Sequence, residues 1–131
     1  MAYAEVLKRI YAAAPEGEAG VRRAAEELDP EFELHEFENG PDGNVYRGRE
    51  GFVAWFLQGF EVFDGATFEP IELTEAGDVA LVAVEVRAVG HGSELPVTML
   101  VHHVWDMRDG RPWRVRGYID AAEARAAAGV G

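Results

Sequence analysis

The chain of 131 residues contains no cysteine. Neither a disulfide framework nor a thiolate metal site can be built from it, and the absence suits a reducing cytoplasm, the expected location. Long apolar runs are missing too. None approaches the roughly 18 residues of a membrane span, so no membrane partner is expected. The first residues lack a basic segment followed by an apolar stretch, and no secretory signal is read there. Basic residues are also scarce. Twelve Lys and Arg stand against twenty-four Asp and Glu, a formal charge of −12. That charge repels phosphate backbones and excludes nucleic acid as an expected partner. The acidic residues are spread along the chain, which serves solubility; the same charge attracts a cationic ligand.

The length suits one domain, read as 1–131, and is enough to bury roughly two-thirds of the unfolded surface. Ala2 to Ala14 reads as a helix, with Val6, Ile10 and Ala13 on one face beside Tyr3. Pro15 and Gly17 end it. A second helix is predicted from Ala19 to Leu28, and a strand from Glu31 to Phe37. The Gly- and Pro-containing segment 38–44 reads as a loop and a mobile rim. A third helix opens at Gly48, with Phe52, Phe56, Phe60 and Phe63 at helical spacing. Such a stripe fits a core-facing helix, and a ligand wall where the core is hollow. Strands are predicted at 67–74, 79–89, 95–107 and 112–119, joined by short turns, which implies antiparallel pairing. Helices first and a meander last give an α+β fold, and an Ala-rich stretch from Ala121 to Ala128 closes it as a short helix. Asp120 is placed to cap that helix.

Three segments carry a resemblance. Val45-Tyr-Arg-Gly-Arg-Glu-Gly-Phe52, Val104-Trp-Asp-Met-Arg-Asp-Gly-Arg111 and Tyr118-Ile-Asp-Ala-Ala-Glu-Ala124 occur in this order over nearly the whole chain. Together they resemble the SnoaL-like branch of the nuclear transport factor 2-like superfamily. The resemblance implies a cone: a curved, mixed, mostly antiparallel sheet around three N-terminal helices, with an apolar cavity. It also implies a polyketide cyclase-like or ketosteroid isomerase-like isomerase or lyase, or a member that only binds. The expected ligand is a small apolar, polyketide-, terpene- or steroid-like molecule. Fold alone does not choose among these.

Alternation sorts each strand into two faces. On 95–107 the larger set, Val97, Met99, Val101, His103 and Trp105, is assigned to the cavity. His102 then lies on the convex face. On 79–89, Val82, Val84 and Val86 are read as a convex, dimer-packing set, so a homodimer through the convex face is expected. Leu81, Ala83, Glu85 and Arg87 are then assigned inward, with Glu85 and Arg87 as a neutralising pair. Comparison with the ketosteroid isomerase branch implies Tyr11, His35 and His103 as the catalytic set. In that reading a neutral His35 is the base, while Tyr11 and a protonated His103 stabilise an enolate. Trp55, Phe56, Phe60, Met99, Val101 and Trp105 complete the expected lining. Gly117 stands where an epoxide hydrolase of this superfamily has a carboxylate, which argues against that reaction. A metal site of His35, His103 and Glu85 is the less favoured arrangement, and no metal or other cofactor is expected.

Overall fold

The computed structural model describes residues 3–36, 44–90 and 92–130. The chain runs α1 (Ala4–Tyr11), a 3-10 turn (Ala14–Glu16), α2 (Gly17–Ala25), β1 (Glu33–His35), β2 (Val45–Arg47) and α3 (Gly48–Val62). It continues through β3 (Phe63–Ala76), β4 (Val79–Gly90), β5 (Pro96–Arg108), β6 (Arg111–Tyr118) and α4 (Ala121–Ala128). One six-stranded sheet forms in the order β2-β1-β6-β5-β4-β3. Only β1 and β6 pair in parallel; the other neighbours are antiparallel. The fold is mixed α+β, as the sequence predicts.

The sheet is curved around the helices. Helix α3 touches β1 and β2 at one edge and β3 at the other. In a flat sheet, five inter-strand steps would set those edges ~24 Å apart, about twice the diameter of a helix. Two register shifts on β3, at Asp64/Thr67 and Pro70/Glu72, supply bulges that bend the strand. Pro70 is tolerated because β3 is an edge strand, where a missing N–H need not break a ladder bond. The Asp109-Gly110 turn has φ of 54° and 79°, the two left-handed residues of a type I′ hairpin.

The core lies between the helices and one face of the sheet. Leu7, Ile10 and Tyr11 of α1 are buried in it, with Phe32, Phe52 and Phe56. Leu7, rather than Val6, occupies the centre of the α1 face: Leu7 is fully buried and Val6 only partly so. Burying side chains of this size stabilises by roughly 1.5–3 kcal/mol each. A second, smaller cluster sits on the outer face, where Ala124 and Ala128 of α4 cover Leu81, Val104 and Tyr118. Asp120 caps α4 by accepting from the Glu123 N–H at 3.0 Å.

The predicted faces of β4 are reversed. Val82 lies opposite His103, Val84 opposite Val101 and Val86 opposite Met99. Directly paired residues share a face, so the three valines point inward, and Val82 and Val84 are fully buried in the core. Glu85 and Arg87 pair with Leu100 and Thr98, on the outer face. Strand β2 was not predicted; it occupies three residues just before α3. The predicted loop falls, apart from Asn44, outside the described residues, as do Phe37 and His91.

Candidate functional site

Two elements bring polar groups together in the core. Tyr11 comes from the last turn of α1, His103 and Trp105 from the inward face of β5. The Trp105 indole N–H donates to the Tyr11 hydroxyl at 2.7 Å, and that hydroxyl lies 2.7 Å from His103 Nδ1. An indole nitrogen only donates, so Tyr11 accepts from Trp105 and turns its own proton to Nδ1. His103 is then a neutral imidazole carrying its proton on Nε2. Burial, followed by the nearby charge of His102, pushes its pKa down to about 4, which fits the neutral form. Burial pushes the Tyr11 hydroxyl well above the usual phenol value, against a smaller opposing effect of the Trp105 hydrogen bond. Among the described residues Nε2 of His103 has no hydrogen-bond partner. Gly117 lies opposite His103 on β6 and brings no side chain to that spot.

These groups border a cavity of about 70 Å³, lined also by Leu34, Glu36, Trp55, Phe56 and Phe68. Trp55 and Phe56 project from α3, and Phe68 from β3. The lining is largely apolar, with two polar features. One is the Tyr11–His103 pair. The other is Glu36, whose Oε2 accepts from the Trp55 indole N–H at 2.5 Å.

Glu36, the residue that follows β1, and not His35, is the side chain directed inward. Leu34 is buried in the core opposite Val115, so alternation turns His35 to the outer face. There its Nε2 lies 2.9 Å from Glu33, which shares that face. His35 borders the cavity through its position in the strand, while its imidazole is directed elsewhere. The predicted trio therefore does not converge: Tyr11 and His103 meet, His35 does not. Glu36 was missed because one residue of slip in so short a strand exchanges the two faces.

The remaining predicted positions divide. Trp55, Phe56, Trp105 and Gly117 border the cavity. Phe60 packs beside Phe56 and Val101 is buried in the core, but neither borders it. Met99 shares the inward face but is 44% exposed, beyond the reach of the helices. Glu85 and Arg87 are on the outer face and cannot contact a ligand in the cavity. The metal arrangement fails for the same reason, since Glu85 and His103 are on opposite faces of the sheet. A larger recess of about 730 Å³ between α1, α2 and the β5–β6 turn is an open groove. Four of its charged side chains are already paired, Arg9 with Glu27 at 2.7 Å and Arg23 with Glu16 at 2.9 Å.

A family model described as the SnoaL-like domain matches residues 7–115. The chain belongs to the SnoaL-like domain family. Comparison of this SnoaL-like protein with curated proteins gives no match. Solved structures with the same fold include a protein from Catenulispora acidiphila with a ketosteroid isomerase-like fold, in complex with trimethylamine. It is 13% identical, with a TM-score of 0.78 over 98% of this chain and 95% of that one. A putative SnoaL-like polyketide cyclase from Jannaschia sp. CCS1 is 20% identical, with a TM-score of 0.73 over 98% and 93%. TerC, co-crystallised with polyporic acid, is 21% identical, with a TM-score of 0.74 over 95% of both chains. At these identities the likeness concerns the fold.

Proposed function

We propose that this SnoaL-like protein binds a small oxygenated molecule in the cavity and moves a proton on it, as an isomerase, dehydratase or cyclase does. The observation that carries the reading is that a neutral imidazole donor, His103, and a carboxylate, Glu36, border the same largely apolar cavity. The Nε2–H of His103 donates to a ligand oxygen. The Glu36 carboxylate takes a proton from carbon beside the carbonyl, or returns it. Tyr11 holds the imidazole in the tautomer that keeps Nε2 protonated, and so acts as a positioning residue. A neutral donor at the oxygen matches the low pKa of His103 better than an imidazolium does.

The volume favours small ligands. At about 70 Å³ the cavity is well below the ~300 Å³ at which drug-sized sites begin, so a steroid does not fit without rearrangement. On this fold the Catenulispora acidiphila protein is in complex with trimethylamine and TerC was co-crystallised with polyporic acid, so ligand size varies widely. A second reading, binding without turnover, is favoured by the Trp55–Glu36 hydrogen bond, which already engages the carboxylate.

The two readings part in deuterium oxide. Incubated with butanone, a catalytic site exchanges the protons beside the carbonyl faster than buffer does, and Glu36→Gln abolishes the excess. Exchange at the buffer rate, with butanone still shifting the His103 resonances, leaves only the binding reading. We further propose a cytoplasmic protein that pairs with a second copy through the outer face of the sheet, where Leu100 is 48% exposed.

A further inference from the structure

We propose that the cavity recognises a small methylated ammonium group, held between the Glu36 carboxylate and the rings of Trp55, Phe56 and Phe68. The inference rests on the reading of this cavity as the ligand site and names the class of ligand.

Charge is the first argument. No Lys or Arg borders the cavity, although the chain has twelve of them. His103 is neutral there, and the His35 imidazole is on the other face. Among the described residues Glu36 is therefore the charged side chain directed inward. Its Oε2 takes the Trp55 N–H, leaving Oε1 for a ligand. An anion would meet this carboxylate unscreened; a cation would be paired by it, as a buried charge requires.

Ring geometry is the second. Trp55 and Phe56 stand 5.0 Å apart at 86°, and Phe68 lies 6.1 Å and 5.6 Å from them at 54° and 65°. All three rings border the cavity, and a positive group gains wherever it meets a ring face within about 6 Å. Neutral apolar ligands gain from burial here as well, but only a cation gains from both the ring faces and the carboxylate.

Size and long-range charge agree. About 70 Å³ of accessible space is room for roughly five waters at ~10–15 Å³ each, enough for a nitrogen with its methyl groups. The net charge of −12 draws cations toward the molecule from solution. A positive nitrogen also acidifies the C–H bonds beside it, the type of bond Glu36 would have to break.

The test compares tetramethylammonium chloride with tert-butanol, two compact probes of five heavy atoms that differ in charge. Each is titrated into the full-length protein at constant ionic strength set by potassium chloride, while the Trp55 indole N–H resonance is followed. The expected result is binding of the cation at least about tenfold tighter than the alcohol, the scale of a desolvated cation–π contact with its counter-ion. In Glu36→Gln, which can still accept from Trp55, the two affinities should fall within about threefold of each other. If tert-butanol shifts the Trp55 resonance as strongly as the cation does, the ammonium assignment is wrong while the cavity remains a ligand site. If neither probe shifts Trp55 or His103 resonances, the cavity is not a ligand site and both readings fail.

Discussion

Replacing Tyr11 by Phe removes one oxygen and strips two buried nitrogens, Trp105 Nε1 and His103 Nδ1, of their partner. Leaving such groups unsatisfied costs about 1–3 kcal/mol each in a dry site, so Tyr11→Phe should lower stability by about 2–6 kcal/mol in urea unfolding. It should also release the His103 tautomer, seen as a mixture in its ring ¹⁵N shifts where the parent shows Nε2–H alone. A stable variant with unchanged shifts would remove the positioning role. His103 itself gives a pH prediction. Its pKa is about 4 in the folded chain against 6.5 for a free imidazole. Between these values the unfolded chain holds the extra proton, so stability is complete above about pH 6.5 and declines as pH falls toward 4. The span is about 3 kcal/mol. Comparison with His103→Gln isolates it: the advantage of the parent should shrink by that amount from pH 7 to pH 4. A difference independent of pH would mean that His103 is not held neutral.

At the scale of elements, the decisive question is the phase of each strand. His103, Trp105 and Gly117 were legible because β5 and β6 are long and anchored by a type I′ turn, so alternation could be counted from a fixed point, while Tyr11 followed from the resemblance by its place on the first helix. The three residues of β1 are too few to fix a phase, and His35 was taken where Glu36 stands. On β4 the error had a different cause. Both of its faces are apolar, because α4 covers Leu81 on the outer side while Val82 and Val84 fill the core. Counting across the pair to His103 would have settled it, but that register is set by the long hairpin and not by composition. The corrected phase predicts a contrast between neighbours: His35→Ala should leave binding of tetramethylammonium within about twofold, whereas Glu36→Ala should weaken it at least tenfold, the scale of one lost charge pairing. Equal effects in calorimetric titration would restore His35 to the site. Helix α3 offers a second test. Gly51 lies within it, where Ala ordinarily gains about 1 kcal/mol. Here an added Cβ would stand 2.8 Å from the Tyr46 carbonyl carbon, in the backbone of β2. The clash reverses the sign, and Gly51→Ala should destabilise by about 1–3 kcal/mol, measured as a lower urea midpoint with unchanged slope.

For the whole molecule, one number bears on two associations with opposite sign. The charge of −12 attracts a small cation and repels a second copy of the same chain. Salt screens both effects, with a Debye length of about 10 Å at 0.1 M. Ammonium binding should therefore weaken as ionic strength rises, while self-association should tighten. The surface available for the latter is the start of β5 with the residue before it, where Leu95, Val97, Met99 and Leu100 are 77, 56, 44 and 48% exposed. Scattered apolar residues need no explanation, but this strand end is apolar and exposed on both sides, Val97 and Met99 on the inward face and Leu100 on the outer one, and proteins tend to cover such a segment. Leu100 lies on the outer face opposite Glu85, so a charge placed there faces a partner without entering the core. Sedimentation of the parent should show a growing dimer fraction as sodium chloride is raised from about 0.05 to 0.5 M, within the range where screening changes most. Leu100→Glu should remain monomeric across that range with an unchanged urea midpoint. A parent that stays monomeric at high salt, or a variant that dimerises as well as the parent, would show that the exposed half of β5 is not an interface between copies.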